Sequence, residues 1–162
     1  MQIDSILACL LKKRTGRCFY RFSNADGKTW IMPARNMQVA MNLYQPSGRN
    51  GKLVKAWFPW LHKIPIVRRV IHAEMLHCKL SDELDLLLCR LFHEEEIEFS
   101  IFGGTPCVHQ KVTIQISKGC RILGYCKVTD SREVAVLFQS EADLLERLKR
   151  QGMEGVPQAL YC

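Results

Sequence analysis

The sequence predicts an α+β fold in which a small antiparallel sheet carries one packed helix, preceded by a β-hairpin and a helical segment. Short segments in which apolar and polar residues alternate recur along the chain, separated by glycine-containing turns, as expected of half-buried strands joined by hairpins. A later segment, 133–150, instead spaces its apolar residues by three, four and seven, which is typical of one side of a helix. These two periodicities together favour a mixed fold.

The β-hairpin is predicted near the N-terminus. Residues 17–22 and 28–32 are rich in aromatic and β-branched side chains, and the loop 23–27 between them contains a glycine. Pro33 ends the second strand, because proline has no N–H for the sheet ladder. Ahead of the hairpin, residues 3–11 are apolar and predict a short helix or strand.

A helical segment follows the hairpin. Helices are predicted at 34–44, at 52–63, at 66–77 and after Ser81. The methionines of the first helix are expected to fill the core, because methionine adapts to irregular gaps. The acidic residues 94–96 mark the predicted domain boundary, which divides the chain into an N-terminal hairpin plus helical extension, 1–95, and a second unit, 96–162.

Basic residues are concentrated in the first half of the chain. Residues 1–80 carry 14 Lys+Arg and 3 Asp+Glu, a net charge of +11, whereas residues 81–162 carry 9 and 13, a net charge of −4. Within the first half, the segment 52–69 combines Trp57, Phe58 and Trp60 with flanking lysines and arginines. Such a segment favours one of two structures: a helix on an anionic membrane surface, or a helix packed on the sheet with lysines at its rim.

The second half has the order strand, glycine break, strand, turn, strand, helix, strand. The strands are predicted at 97–101, 112–116, 121–128 and 156–161, and the helix at 133–150. The break is Gly103-Gly104-Thr105-Pro106, where two glycines remove the steric limits that keep a backbone extended. On the third strand, alternation places Lys127 on the same face as Leu123 and Tyr125.

This order resembles the N-terminal, nucleotide-binding lobe of the protein-kinase-like phosphotransferases, most closely the aminoglycoside and choline kinase branch. The resemblance covers residues 96–162 and depends on Gly103-Gly104, on the segments 125–132 and 141–148, and on Val156-Pro157. It implies that Lys127 holds nucleotide phosphates and pairs with Glu141, with Gly103, Gly104 and Thr105 as the phosphate-facing turn. The turn departs from the G-x-G-x-x-G pattern of protein kinases.

The resemblance implies ATP as the ligand and a partial phosphotransferase as the function. In that family the catalytic-loop aspartate and the Mg²⁺-binding aspartate lie beyond the strand predicted at 156–161. No catalytic or metal-binding residue is therefore assigned, Mg²⁺ is expected from the lobe that is absent here, and the chain is not expected to transfer phosphate alone. Two alternatives stay open: a non-catalytic binding or scaffold module, and a peripheral membrane adaptor that uses residues 52–69.

Composition limits the partners and the compartment. The expected partners are a nucleotide, a C-terminal lobe or other protein, and an anionic membrane surface. No nucleic acid is expected, because no reading helix or aromatic RNA-binding strand accompanies the basic charge. Eight cysteines without a C-x-x-C pair predict reduced thiols in the cytoplasm, and neither a secretory signal nor an apolar run of 18 residues is present.

The cysteines and histidines offer two other kinds of site, a zinc site and a thiolate pair. A zinc site would draw its ligands from His72, His77, Cys78, Cys89 and His93. Their spacing matches no standard zinc module, and cysteine is common in cores as a small apolar residue, so no metal site is predicted. Cys107 and His109 are predicted to be loop residues, because no third group is placed to orient the histidine as a base.

Overall fold

The structure, a computed structural model, describes residues 3–107 and 109–162. The elements of the first half are α1 Ile3–Leu10, β1 Leu11–Ser23, β2 Thr29–Pro33, α2 Met37–Ala40 with a 3₁₀ turn at Met41–Leu43, α3 Arg49–Leu61, α4 Pro65–Val70 and β3 Glu74–Leu80. Those of the second half are α5 Asp82–Phe92, β4 Glu98–Gly103, β5 Val112–Lys118, β6 Arg121–Val128 and α6 Arg132–Arg150.

The described strands form one antiparallel sheet of six strands in the order β3-β1-β2-β4-β5-β6. The predicted α+β class is confirmed, and the N-terminal hairpin, β1–β2, belongs to this same sheet. The link is the pairing of β2 with β4, in which Ile31 lies opposite Ile101. This pairing crosses the predicted boundary at residue 95, and the division into two domains stays a prediction.

Helices cover both faces of the sheet, rather than the single packed helix that was predicted. One face, here called the first face, packs Phe19 and Ile31 against α1 and against Leu88 of α5. The opposite, second face packs Tyr20 and Trp30 against α2, the 3₁₀ turn and α3. Neighbouring residues of a strand point to opposite faces, so β1 and β2 supply both cores at once. The methionines Met37 and Met41 are buried in the second core, as predicted.

The helix predicted at 66–77 is wrong in its second part. Helix α4 ends at Val70, and residues 74–80 form β3, which pairs with β1 on both sides of a bulge, at residues 11–13 and 17–21. The burial pattern shows the reason: Leu76 is half-buried, Cys78 and Leu80 are buried, and the residues between them are exposed. This period of two is the strand signal, and the long β1 provides an edge on which it pairs.

The strand predicted at 156–161 is also wrong. Within the part of the chain that the structure describes, no strand follows Val128, and residues 156–161 have no regular structure. Val156-Pro157 and the residues after it are largely exposed, except for a half-buried Val156. Apolar residues alone do not make a strand, because a strand also needs hydrogen bonds to a neighbouring strand, and residues 156–161 pair with neither edge of the sheet.

The long helix α6 is confirmed, but it packs less than its pattern predicted. Val134 is its buried residue, while Phe138, Leu145 and Leu148 are half-buried along one stripe. Leu137 and Leu144, which belong to the predicted stripe, are exposed. The apolar side of α6 therefore remains partly open. None of the helices in the described ranges is long and apolar enough to cross a membrane.

All eight cysteines are free thiols, and their surroundings differ strongly. Cys78 is fully buried in β3. This burial, and to a smaller extent the neighbouring Cys18, raises the pKa of its thiol to about 12.

In native protein at pH 8, we therefore expect iodoacetamide to modify the exposed Cys9, Cys107, Cys120 and Cys162 rapidly and Cys78 only on unfolding. Peptide mass mapping of a labelling time course measures this order, and equal rates at Cys78 and Cys120 would contradict it.

The raised pKa of Cys78 also predicts a loss of stability in alkali. An unfolded thiol titrates near pH 8.5, so the folded state holds this proton more tightly. The stabilisation is fully present below that pH and is lost as the pH rises toward about 12. Urea unfolding between pH 7 and pH 10.5 is expected to show a fall that Cys78→Ala reduces and Cys120→Ala, at an exposed site, leaves unchanged.

Candidate functional site: an ion pair beside a glycine-containing loop

Lys127 lies near the end of β6, at one edge of the sheet. It is opposite Thr113 of β5, which is in turn opposite Phe102 of β4. Phe102 packs into the second core, so Lys127 lies on the second face. Tyr125 shares that face by alternation, but Leu123 does not. The pairing shifts near Ile116, and Leu123 contacts the first core instead, which corrects the sequence prediction.

The structure brings Lys127 and Glu141 together. The Nζ atom of Lys127 lies 2.5 Å from Oε1 and 2.7 Å from Oε2 of Glu141, which is on α6. The same Nζ atom lies 6.0 Å from the centre of the Phe138 ring, one helical turn before Glu141. An ammonium group has three N–H donors, so at least one remains for another acceptor.

The ion pair is open to solvent. The side chain of Lys127 is 39% exposed and that of Glu141 is 49% exposed. Exposed ion pairs contribute little to stability, because water screens the charges and two long side chains must be fixed. The pair is therefore poorly explained as a stabilising contact, and its Nζ atom is within reach of an anion from solution.

The glycine-containing loop begins at the same end of the sheet. Gly103, Val112 and Val128 form one row across β4, β5 and β6, and Lys127 lies in the neighbouring row. The loop is closed by two hydrogen bonds: the Gly104 N–H donates to the Lys111 carbonyl at 3.4 Å, and Gln110 Nε2 donates to the Gly104 carbonyl at 3.0 Å. Thr105, predicted to face phosphate, is exposed at the start of this loop.

The loop is also tied to the N-terminus of α6. The Thr129 hydroxyl donates to the Gln110 carbonyl at 3.1 Å and accepts from the Ser131 N–H at the same distance. His109 Nδ1 lies 3.4 Å from an Oε2 of Glu133, in the first turn of α6. The glycine-containing loop, the N-terminus of α6 and the ion pair of Lys127 with Glu141 thus lie at one corner of the sheet.

The two glycines of the loop differ in what surrounds them. A Cβ on Gly103 would lie 1.6 Å from Cδ1 of Ile3, so α1 leaves no room there for a side chain. A Cβ on Gly104 would have only the Lys111 carbonyl within 4 Å, at 3.8 Å. Packing of α1 therefore explains Gly103 without a ligand, whereas no close contact explains Gly104.

Sequence reasoning missed two buried glutamines. Gln110 lies in the loop, and Gln115 lies on β5 beside Tyr125 with its Nε2 donating to the Val39 carbonyl at 3.0 Å. The Oε1 atom of each has no hydrogen-bond donor among the residues that the structure describes. No sequence signal distinguished Gln115, because it stands at a polar position of an alternating segment that proves to be buried on both faces.

The other candidate residues do not come together as a site. Across residues 3–107 and 109–162, no group of three His, Cys, Asp or Glu side chains is close enough to hold a metal ion. Cys107 is exposed in the loop, and His109 faces Glu133. Comparison of the chain with protein-family models, with characterised proteins and with solved structures finds no match. What the corner can do follows from its own side chains and backbone.

Proposed function

We propose that residues 96–162 form the nucleotide-binding lobe of a kinase-like phosphotransferase and that this corner binds the phosphates of ATP. The observation that carries the proposal is the contact between Lys127 and Glu141 at the corner where the glycine-containing loop ends β4. Hydrogen bonds made by Gln110 and Thr129 hold the two ends of the loop at Gly104 and Gln110.

Each part of the corner has a role in this proposal. The ammonium of Lys127 donates to phosphate oxygens, while Glu141 fixes its position. The loop supplies the backbone N–H of Thr105 as a donor and lets a phosphate approach closely, since Gly104 has space where a side chain would lie. The N-terminus of α6 adds the positive end of a helix dipole at the same corner.

Binding is the whole of the activity proposed for this chain. Phosphoryl transfer also needs a residue that accepts the proton of the substrate hydroxyl and carboxylates that hold Mg²⁺. None of the described residues is assigned to either task. We propose that a C-terminal lobe or a partner protein supplies both, and the exposed Leu137 and Leu144 of α6 offer a surface for it. A scaffold module that binds nucleotide without transfer would use the same corner.

Lys127→Ala is expected to weaken ATP binding about 10–100-fold, because charge-assisted hydrogen bonds are worth about 1.5–3 kcal/mol. Isothermal titration calorimetry with ATP measures this change. The matched control is Lys118→Ala, which removes the same charge from the same sheet at a lysine paired with Glu94. Glu141→Gln is expected to weaken binding less, since it leaves the ammonium in place.

Three results would refute the proposed site. The first is no measurable ATP binding by the unmodified chain. The second is equal weakening by Lys127→Ala and Lys118→Ala, because binding would then follow net charge alone. The third is unchanged binding in Lys127→Ala.

A further inference from the structure

The outer side of helices α3 and α4 carries large apolar side chains in water. On α3 these are Leu53, Trp57 and Trp60, which recur at steps of four and three and so share one side of the helix. Trp57 is 60% exposed and Trp60 is 71% exposed. Such a row of exposed large residues is unusual on a soluble surface and marks an interaction site.

Helix α3 has a separate inner side that holds it on the sheet. Phe58 is buried against Tyr20 and Phe22 of β1, and Val54 packs on the same core. The alternative of a packed helix with lysines at its rim therefore explains the inner side alone. It gives no reason for the outward leucine and tryptophans.

Helix α4 carries further exposed apolar residues and is fixed to the end of α3. Its Arg68 donates to the carbonyls of His62 and Lys63, at 3.1 Å and 2.9 Å, and lies over the Tyr20 ring at 5.7 Å from the centre. These contacts join α4 to the end of α3. Ile66 and Val70, one turn apart on α4, then remain 69% and 73% exposed.

The charged residues of the chain segment that carries these apolar side chains are all basic. Residues 27–73 contain no Asp or Glu. They contain eight cations: Lys28, Arg35, Arg49, Lys52, Lys55, Lys63, Arg68 and Arg69. Arg49, Lys52, Lys63 and Arg69 are among the exposed ones. A partner for this surface must combine negative charge with an apolar phase.

We propose that the outer side of α3 and α4, here called the Trp57–Val70 surface, binds an anionic lipid membrane. Tryptophan side chains prefer the boundary between headgroups and acyl chains, the leucine, isoleucine and valine side chains enter the apolar layer, and the cations meet lipid phosphates. This inference is independent of the nucleotide site. Helix α3 packs on β1, whereas Lys127 lies on β6, which is separated from β1 by three strands.

Two other partners fit the surface less well. A nucleic acid would match the cations and stack on the tryptophans, but its sugar-phosphate backbone offers nothing to Leu53, Ile66 and Val70. A second copy of the chain would match the apolar residues, but two surfaces of like charge repel each other. An anionic bilayer satisfies both the charge and the apolar residues.

Intrinsic fluorescence tests the proposal directly, since two of the three tryptophans lie on this surface and Trp30 is buried at 6% exposure. We expect vesicles of phosphatidylcholine and phosphatidylglycerol to shift the emission to the blue and to sediment with the chain, whereas pure phosphatidylcholine vesicles do neither. In the variant Trp57→Phe/Trp60→Phe, Trp30 alone is left to emit, and the shift is expected to disappear.

Variants separate the apolar and charged contributions. Trp57→Ser/Trp60→Ser is expected to reduce vesicle partitioning at least tenfold, and Lys52→Gln/Lys63→Gln about fivefold for each cation removed. The matched controls are Val136→Ser, at an exposed apolar site on α6, and Lys149→Gln/Arg150→Gln. Both controls are expected to bind vesicles as the unmodified chain does.

Several outcomes would overturn the membrane proposal. These are no binding to anionic vesicles, binding that survives Trp57→Ser/Trp60→Ser, or equal losses in the α6 controls. Concentration-dependent dimers in sedimentation equilibrium, or RNA binding without vesicle binding, would assign the surface to those partners instead. Loss of ATP binding in any of these variants is not expected, so the two proposals fail separately.

Discussion

Phe19→Ala is expected to lower the free energy of unfolding by about 3–5 kcal/mol, the cost typical of truncating a buried phenylalanine. Phe19 lies in β1, between Pro33 of β2 and Leu76 of β3, and is 1% exposed. Its ring stacks on Phe99 of β4 at 4.6 Å between centres. The substitution leaves a cavity that three neighbouring strands and α1 cannot close without moving apart.

Urea unfolding followed by circular dichroism measures this loss. The matched control is Tyr125→Ala, which removes an aromatic side chain from an exposed position on the edge strand β6. It is expected to cost less than about 1 kcal/mol, the range of intrinsic strand preferences. Equal losses for the two variants would mean that the first core does not have the packing described here.

Gly16→Ala is expected to destabilise the fold by about 2–5 kcal/mol, from backbone strain and a steric clash together. Gly16 lies where β1 bulges, since both Lys13 and Arg17 pair with Cys78 of β3. Its φ of +90° is unfavourable for any residue with a side chain. A Cβ there would also lie 2.5 Å from the Cys78 carbonyl oxygen, which is backbone and cannot turn away.

Gly119→Ala separates the two causes. Gly119 has a φ of +56° in the turn between β5 and β6, and a Cβ there would meet nothing within 4 Å. Its substitution is expected to cost about 1–2 kcal/mol from strain alone. Thermal unfolding of both variants gives the difference, and a Gly16→Ala variant no less stable than Gly119→Ala would contradict the close approach of β1 to β3.

Local patterns predicted the strands in which apolar and polar residues alternate, and those joined to the next strand by a short turn. Residues 98–103, 112–118 and 121–128 proved to be consecutive strands, and the hairpin of β1 and β2 was found from its aromatic residues and its loop. Strands joined by short turns pair with their neighbours, so sequence order gives the sheet order there. The pairing of β2 with β4 joins distant segments, and no local pattern specifies it.

The errors lie where tertiary contacts decide the structure. Residues 74–80 come shortly after α4, and their apolar pattern is too short to distinguish a helix from a strand. Pairing with β1 decides for the strand. Residues 156–161 have the apolar content of a strand but pair with neither of the two edge strands, β3 and β6. The bulge that turns Leu123 to the first face depends on the pairing of Ser117, which cannot be seen in the sequence of β6 alone.

The candidate site was predicted in part. The contact of Lys127 with Glu141 was expected from a family resemblance alone. No local pattern predicts it, because the two residues are 14 positions apart on different elements. The fastening of the loop through Gln110 and Thr129 was not predicted, since neither residue type indicates such a contact. Gly103 was predicted for phosphate, but its neighbour Ile3 gives it a packing role that only the fold reveals.

The most direct test of the account is a ¹H–¹⁵N correlation spectrum of the chain recorded during an ATP titration. We expect saturable shifts for the amides of Gly104, Thr105 and Lys127. The shifts of Gly104 and Thr105 should need about 10–100-fold more ATP in Lys127→Ala and the same amount in Lys118→Ala. Shifts confined to the Trp57–Val70 surface, or shifts that Lys127→Ala leaves unchanged, would contradict the claim that the corner of the sheet around Lys127 holds nucleotide phosphates.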